Sequence, residues 1–331
     1  MHSIAFDPPP PSAVEPAAEV RLDPDLPLGF DRRGALRLGF DTPVARVGDF
    51  GAGVERFIAA LRAPVPLSQL AQLARRCGVP AQQIPALLSE LEEALIPAAP
   101  RARAASAVLV PSEAPFNARR IRLVGDGLPA AALRSMLERA GCRVLPQRTA
   151  RGPSARADLV VFLSRFGWPV TGSQHALANG TPHLAVRFSD RSVEISPVIA
   201  SDGSPCITCF ALHDHDRDPD QVDLAVQLRE SVPASETAET SELVAALVLR
   251  TIANARREGP ASGSSRGLLL PCSGGAVLDA PTPKPVLPHP SCDCHSFEAL
   301  GLGEAPAAFP PRIDRSHTPS ATGTELSARS A

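Results

Sequence analysis

Ser204-Pro-Cys-Ile-Thr-Cys-Phe-Ala-Leu-His-Asp-His-Asp-Arg-Asp-Pro219 contains a Cys-x-x-Cys pair, and its counterpart stands far downstream at His289-Pro-Ser-Cys-Asp-Cys294. Cys206 and Cys209 can present two thiolates from one tight turn, and Cys292 and Cys294 can supply the other two ligands of a tetrahedral zinc site. Four sulfurs close such a site and leave no position for water. The expected metal is therefore a structural Zn2+ that cross-links a late strand or loop to the body of its domain. Two other readings bear on the same residues. A thioredoxin-like pair opens a helix inside a βαβ unit, and the run from Ile207 to His215 can form that helix, but its flanks differ from that motif. Disulfides between the pairs would suit an exported chain. With an odd seven cysteines and no export-type start, a reduced protein fits better, with Cys77, Cys142 and Cys272 as isolated thiols.

The 331 residues are enough for two compact domains, and 44% apolar residues can fill their cores. A net charge of −2 gives no global attraction to nucleic acid or to an anionic membrane. Met1 to Ser12 has neither a basic start nor an apolar run, and no stretch of the chain reads as a membrane span, so a cytoplasmic protein is expected. Of the 33 basic residues only Lys284 is a lysine, and it sits in the Pro-rich run Ala280 to Val286, which reads as lying outside any folded element. Walker-A loops, kinase-type phosphate clamps and pyridoxal Schiff bases each need a placed lysine, which argues against those enzyme classes.

Residues 1–20, with Asp7-Pro-Pro-Pro-Pro11, read as a disordered lead-in. From Arg21 to Pro97 the apolar period changes from two to that of helices. Leu26 to Phe30, Ala35 to Phe40 and Val44 to Val47 predict a three-stranded antiparallel sheet. Val54-Phe57-Ile58-Leu61, Leu67-Leu70-Ala71-Ala74 and Ile84-Leu87-Leu88-Leu91-Leu95 predict three helices. This α+β order is winged-helix-like. Nine arginines are matched by nine acidic residues in this stretch, and the last helix carries Glu90, Glu92 and Glu93 with no basic residue, which argues against a DNA-recognition helix. Such a module can instead hold an extended peptide on its sheet edge. The edge is placed at Val44, Ala45, Arg46 and Val47, with Leu87, Glu90 and Leu91 of the last helix forming the groove.

Residues 98–118 read as a linker, and residues 119–297 as a second, α/β Rossmann-like domain. Its expected elements are strands at Ile121–Val124, Arg143–Leu145, Asp158–Leu163 and His183–Phe188, with helices after the first strand and at Gly172–Asn179. Gly125-Asp-Gly-Leu-Pro-Ala130 fits a loose nucleotide fingerprint, Gly-x-Gly-x-x-Ala, between a strand and a helix. Asp126 would put negative charge beside the phosphates, and the strand ending Leu145-Pro-Gln147 lacks the acidic residue for a ribose. Gly125 and Gly127 are therefore read as vestigial, with no ATP expected. Gly263-Ser-Ser-Arg-Gly267 matches Gly-x-Ser-x-Gly, but no strand leads into it. His213, Asp214, His215, Asp216 and Asp218 read as a solvated helix end or, less simply, as ligands of a second metal. Helices are expected at Val222–Leu228 and around Leu243–Ile252, late strands at Gly267–Pro271 and Ala276–Asp279, and a disordered tail over 298–331.

With these residues in view, the chain resembles the actinobacterial leader-peptide-binding proteins of thiazole/oxazole-modified microcin (TOMM) clusters, also called cyclodehydratase or ThiF-like accessory proteins. The resemblance spans roughly Arg21 to Cys294. It rests on module order, on Pro205-Cys-x-x-Cys-x-x-Leu-His-x-x-Asp-Arg-Asp-Pro219 and on His289-Pro-x-Cys-x-Cys294. It implies that Arg21 to Pro97 is a recognition element for ribosomally made, modified peptides (RiPPs), similar to the peptide chaperone PqqD. It also implies that the second domain is a degenerate E1/ThiF-like fold, and that the partner is a YcaO-type cyclodehydratase acting on a bacteriocin-like precursor whose leader this protein binds. Phe210-Ala211 and His213-Asp-His215 are local variations, and the E1-type adenylation residues, a lysine among them, are missing. An active ThiF-type adenylyltransferase and a winged-helix DNA-binding regulator are the alternatives.

Overall fold

The computed structural model describes residues 19–48, 51–98, 120–145, 156–199, 205–258 and 266–295. The expected lead-in through residue 18, the linker from residue 99, Pro146 and Gln147, residues 263–265 of the Gly-x-Ser-x-Gly run, and the tail lie outside the described residues.

The first part of the chain comprises β1 (Glu19–Leu22), β2 (Leu28–Phe30), β3 (Leu36–Leu38), β4 (Ala45–Val47), α1 (Ala52–Ala60), β5 (Val65–Pro66), α2 (Leu70–Arg76), α3 (Ile84–Leu91) and β6 (Leu95–Pro97). The antiparallel sheet β2-β3-β4 occurs where the alternation placed it, with Leu36 opposite Val47 and Leu38 opposite Ala45. A second small sheet, β5-β1-β6, was not read, and β1 begins within the expected lead-in. Its strands are two to four residues long, too short for alternation to mark them. Leu36, Leu38, Ala45 and Val47 meet Val54, Phe57 and Ile58 of α1, Leu70 and Ala74 of α2, and Leu87 and Leu91 of α3 in one core. Gly78, at φ 86°, ends the α2 region in the left-handed conformation that glycine adopts without strain.

The second part runs β7 (Arg120–Val124), α4 (Gly127–Arg139), β8 (Arg143–Leu145), β9 (Leu159–Arg165), α5 (Val170–Ala178), β10 (His183–Phe188), β11 (Ser192–Ile195), α6 (Ile207–Arg217), α7 (Gln221–Gln227), α8 (Ala238–Glu258), β12 (Arg266–Ser273), β13 (Ala276–Val277) and β14 (Thr282–Pro285). These strands form one mixed sheet of order β13-β12-β11-β10-β9-β7-β8, with β14 on β12. The half made by β8, β7, β9 and β10 is parallel, as strands alternating with helices require. From β10 onward the pairing is antiparallel, through β11, β12, β13 and β14. Strand β11, Ser-Val-Glu-Ile, was not read although its residues alternate polar and apolar; all four are buried, Glu194 included.

Pleating divides the sheet's side chains between two cores. Ile121, Leu123, Val161, Leu184 and Val186 pack under α4 and α8, while Val160, Phe162 and Ala185 pack with Ile207 and Phe210 of α6. The result is a mixed α/β fold with helices on both faces.

The sheet β2-β3-β4 uses its second face as well. Arg37 is fully buried and meets Asp218 at 2.6 Å, while its guanidinium also donates to the carbonyls of Gly39 and Phe40. Arg46 reaches Asp220 at 3.2 Å, and a Cβ on Gly29 would lie 2.5 Å from Leu224, so α7 packs directly on β2. Phe40 and Phe166 meet edge to face at 5.1 Å. Phe166 holds a φ of 60°, a left-handed backbone costing about 1–2 kcal/mol, which the surrounding packing offsets. Asp190 accepts the N–H groups of Phe40 and Asp41 at 2.8 and 3.0 Å.

Two stability predictions follow from this contact. Asp218→Asn keeps the shape but leaves the Arg37 cation buried without its counter-charge, so it should lower stability by roughly 3 kcal/mol in urea denaturation. An unchanged midpoint would show that the pair is idle. Burial, and then the charge of Asp41, push the Asp190 carboxyl up to about 6 from its ordinary 3.8. The folded state therefore holds this proton more tightly than the unfolded chain. The associated stability, on the order of 3 kcal/mol, is present below about pH 4 and lost as pH rises through about 6. Asp190→Asn should flatten that stretch of the stability–pH curve.

Candidate metal centre

Cys206 is the N-cap residue of α6, and the Cys209 N–H donates to its carbonyl at 2.9 Å. On the returning chain the Cys292 N–H donates to the His289 carbonyl at 2.9 Å, so each pair rests on its own tight turn. The two turns face each other. Cys206 and Cys292 sulfurs lie 3.6 Å apart, Cys209 and Cys294 sulfurs 3.3 Å, and all four lie within 4.8 Å of one another. These separations exclude S–S bonds of about 2.05 Å. They approach the sulfur–sulfur edge of about 3.8 Å that follows from Zn–S bonds of about 2.3 Å in a tetrahedron. Cys206, Cys209 and Cys292 are buried, Cys294 is half-buried, and Leu177 and Leu212 cover the cluster. The donor set and its spacing can hold one metal ion.

The protons already favour one thiolate. Hydrogen bonding from the Cys209 thiol, reinforced by its backbone N–H and by Cys292 and Thr208, holds the Cys206 thiol down at about 4 despite burial. The Cys209 thiol is pushed up by that same bond and by burial, and burial pushes Cys292 up to about 11. These opposite directions describe one anion stabilised by neighbours that keep their protons. A bound ion would replace those protons and make all four sulfurs ligands. The His289 N–H donates to the Cys209 sulfur at 3.3 Å. Its ring accepts the Ser291 N–H at Nδ1 and so donates from Nε2 to Asp216 at 2.9 Å. His213 Nε2 donates to the Leu287 carbonyl at 2.9 Å and packs edge-on against His289.

The solvated helix end expected at 213–218 is only partly solvated. Asp214 is buried and accepts from Trp168 Nε1 at 2.8 Å and from Arg187 at 2.8 Å, while Asp218 holds Arg37. Among the described residues the cysteines alone form a metal-type cluster, and the carboxylates of the polar run are engaged otherwise, Asp214 with Arg187, Asp216 with His289 and Asp218 with Arg37. Arg187 is the centre of that structure: it bonds Glu194 at 2.5 Å and lies 4.7 Å from the Trp168 ring. Burial would raise the Glu194 carboxyl, but Arg187 and Lys284 outweigh it and hold Glu194 down at about 2. Lys284 is thus in a folded element after all, strand β14, with its ammonium on Glu194. The Pro-rich run disguised it, because prolines fit a strand whose missing N–H groups face away from the ladder.

At the end of β7, Gly125 (φ 128°) and Gly127 (φ 77°) make the turn into α4. The chain crowds one side of this turn. A Cβ on Gly127 would lie 2.3 Å from Glu236 Oε1 and 2.6 Å from Arg165 Nη2. Arg165 clasps Glu236 with two bonds of 2.6 and 2.8 Å and also holds Asp126 at 3.0 Å. A cavity of about 210 Å3 beside the turn is lined by these groups with Ser164 and Arg229. Neither Arg165 nor Glu236 belongs to a local motif, so only the fold brings them there.

Of the residues assigned to peptide binding, Ala45, Val47, Leu87 and Leu91 lie in the core, Val44 is half-buried, and Arg46 and Glu90 are exposed. Strand β4 ends the sheet order β2-β3-β4. No helix among the described residues is long and apolar enough to cross a membrane.

No protein-family model and no curated protein matches the chain. Among solved structures it is similar to the heterocyclase TruD, with 16% identity and a TM-score of 0.41 over 89% of this chain and 46% of that one. It is also similar to a heterocyclase in complex with substrate and cofactor, with 16% identity and a TM-score of 0.38 over 82% of this chain and 38% of that one. A third similarity is to the E. coli microcin synthetase McbBCD complex, with 11% identity and a TM-score of 0.38 over 82% of this chain and 99% of that one. The chain thus spans less than half the length of the two heterocyclases, and at these scores no residue role carries across.

The zinc expectation is checked by elemental analysis. One ion per chain is expected in the parent, with much less in Cys206→Ser and Cys292→Ser. Structural zinc contributes about 10–16 kcal/mol of apparent binding energy in small peptides, so chelation should also lower the thermal midpoint. Full occupancy in both variants would exclude these ligands.

Proposed function

We propose that the chain is a non-catalytic scaffold of RiPP biosynthesis. It binds the leader of a ribosomally made precursor and presents it to a YcaO-type cyclodehydratase for azoline or azole formation. The observation that carries this reading is the position of β4 at the end of its sheet, beside α3, where an extended peptide can add as a strand. In this reading residues 21–97 are a PqqD-like winged-helix recognition element, and residues 119–297 a degenerate ThiF-like domain stapled by Zn2+ on Cys206, Cys209, Cys292 and Cys294. Because Ala45, Val47, Leu87 and Leu91 are already covered, affinity comes from the β4 backbone, with half-buried Val44 and the exposed Arg46, which Asp220 holds at 3.2 Å, beside it.

The glycine turn favours the second reading, an adenylyltransferase using ATP. Against it, Glu236 and Asp126 place two carboxylates where phosphates would bind, and the lysine of this chain lies on Glu194. ATP–pyrophosphate exchange with the purified chain decides between the two: no exchange is expected, and robust exchange would overturn the scaffold reading.

Leader binding is read by fluorescence anisotropy with a labelled precursor leader. Ala45→Pro or Arg46→Pro, whichever removes an outward-facing N–H, should weaken binding at least about tenfold while circular dichroism stays that of the parent. If both folded variants bind as the parent does, the peptide is held elsewhere.

A further inference from the structure

The two cysteine turns can also be joined without a metal. Cys206 and Cys292 sulfurs lie 3.6 Å apart and Cys209 and Cys294 sulfurs 3.3 Å, so each sulfur of the helix turn has a contact on the returning chain. A disulfide between either pair asks the sulfurs to close by about 1–2 Å. Bonding within each turn is the alternative, and the second turn resists it. Only Asp293 separates Cys292 from Cys294, so a disulfide there closes a small ring that forces the C–S–S–C torsion away from its preferred value. If all four sulfurs are oxidised to disulfides, Cys292 and Cys294 must each find a partner on α6.

Access and isolation favour the same outcome. Cys206, Cys209 and Cys292 are buried, with Leu177 and Leu212 packed on the cluster, whereas Cys294, in the turn Asp293–His295, is half-buried. An oxidant from solvent therefore meets Cys294 first, with the Cys209 sulfur in contact behind it. The other thiols do not compete as partners. Cys142 and Cys272 belong to the core under α4 and α8, and Cys77 packs on the core of the first part of the chain.

We propose that the cluster is a redox-interchangeable staple: a peroxide converts it from a metal–thiolate cross-link to the disulfides Cys209–Cys294 and Cys206–Cys292, releasing the ion while the returning chain stays on α6. Peroxide transfers one oxygen to the Cys294 sulfur as a sulfenic acid and loses the other as water. The Cys209 sulfur then displaces the sulfenic hydroxyl, which leaves as a second water. A second peroxide repeats the sequence on Cys206 and Cys292. Four thiolates with a divalent ion, two peroxides and four protons thus give two disulfides, four waters and the free ion. Forming each S–S bond removes two electrons from its sulfurs, and breaking each O–O bond takes them up. The inference shares its four residues with the zinc staple of the scaffold reading, but the same bonds form in the chain freed of metal. They join positions 86 and 85 apart, and cross-links over long loops restrict the unfolded chain most.

The test treats the full chain, metal-loaded and metal-free, with hydrogen peroxide and maps the cysteines by mass spectrometry after tryptic digestion without reduction. Trypsin cuts after Arg191 and Arg217 and after Arg266 and Arg312, so one fragment carries Cys206 and Cys209 and another Cys292 and Cys294. The two fragments should run as one species, lighter than their sum by about 4 Da for the four hydrogens lost, and separate on reduction. In Cys294→Ser the loss should halve, leaving Cys206–Cys292. A chromogenic chelator should report release of the ion from the loaded chain in step with cross-linking. The oxidised, metal-free chain should melt at least about 5 °C above the reduced, metal-free chain. Failure of the zinc assignment shows as no metal in the parent, and cross-linking in the metal-free chain is read independently of it. The proposal is overturned if the bonds form only within a fragment, if the sulfurs gain oxygen without cross-linking, or if the oxidised chain melts with the reduced, metal-free one.

Discussion

Arg187 is the group on which the arrangement of this protein depends. A fully buried guanidinium is tolerated only when counter-charges and acceptors surround it, and here they come from different parts of the chain. Glu194 arrives on the neighbouring strand, Asp214 from the helix that carries Cys206 and Cys209 at its start, and the Phe166 carbonyl from the end of β9, while Trp168 covers one face of the cation. Burial alone would lower the Arg187 pKa; Glu194, Asp214 and Asp41 together raise it, so the charge persists. Removing any one acid would leave a buried charge in deficit. The network therefore specifies how β10, β11 and α6 meet more than it adds net stability.

Helix α6 joins this ion network to the other two constraints. Its first turn holds Cys206 and Cys209, its middle holds Asp214, and Asp218 just beyond its end holds Arg37 of the small sheet. One eleven-residue helix thus connects the cysteine cluster, the buried ion network and, through Asp218, the small sheet β2-β3-β4. The motif that is compact in sequence is spread along about 16 Å of helix, at 1.5 Å per residue. Its residues serve three separate contacts.

Much of this was legible in the sequence, for physical reasons that differ by element. The strands at 121–124, 143–145 and 183–188 and the helices with apolar faces could be read because burial imposes a period on side chains. The cysteine cluster was legible because ligand spacing is local within each pair, although the meeting of the pairs is tertiary. Strand β11 alternates polar and apolar residues over only four positions, and the burial of Glu194 is explained only beside Arg187 and Lys284. Strand β14 was hidden by its prolines, and β1, β5 and β6 by their brevity. The filling of the glycine turn by Arg165 and Glu236 was beyond reach, because residues 71 apart have no local pattern. Leu87 and Leu91 were placed in a groove that helical periodicity alone cannot distinguish from a core.

The contact between Phe40 and Gln221 spans 181 residues, and the Arg37, Asp41 and Arg46 contacts span similar lengths. At about 5–20 residues per second, a ribosome needs on the order of 10–40 seconds to make that intervening chain. During that interval the small sheet exists with Gly29, Arg37 and Phe40 facing water instead of α7. The order of synthesis therefore gives the small sheet a period in which its second face is open, and closing that face has to wait for α7, which follows the cysteine-bearing α6 in the chain.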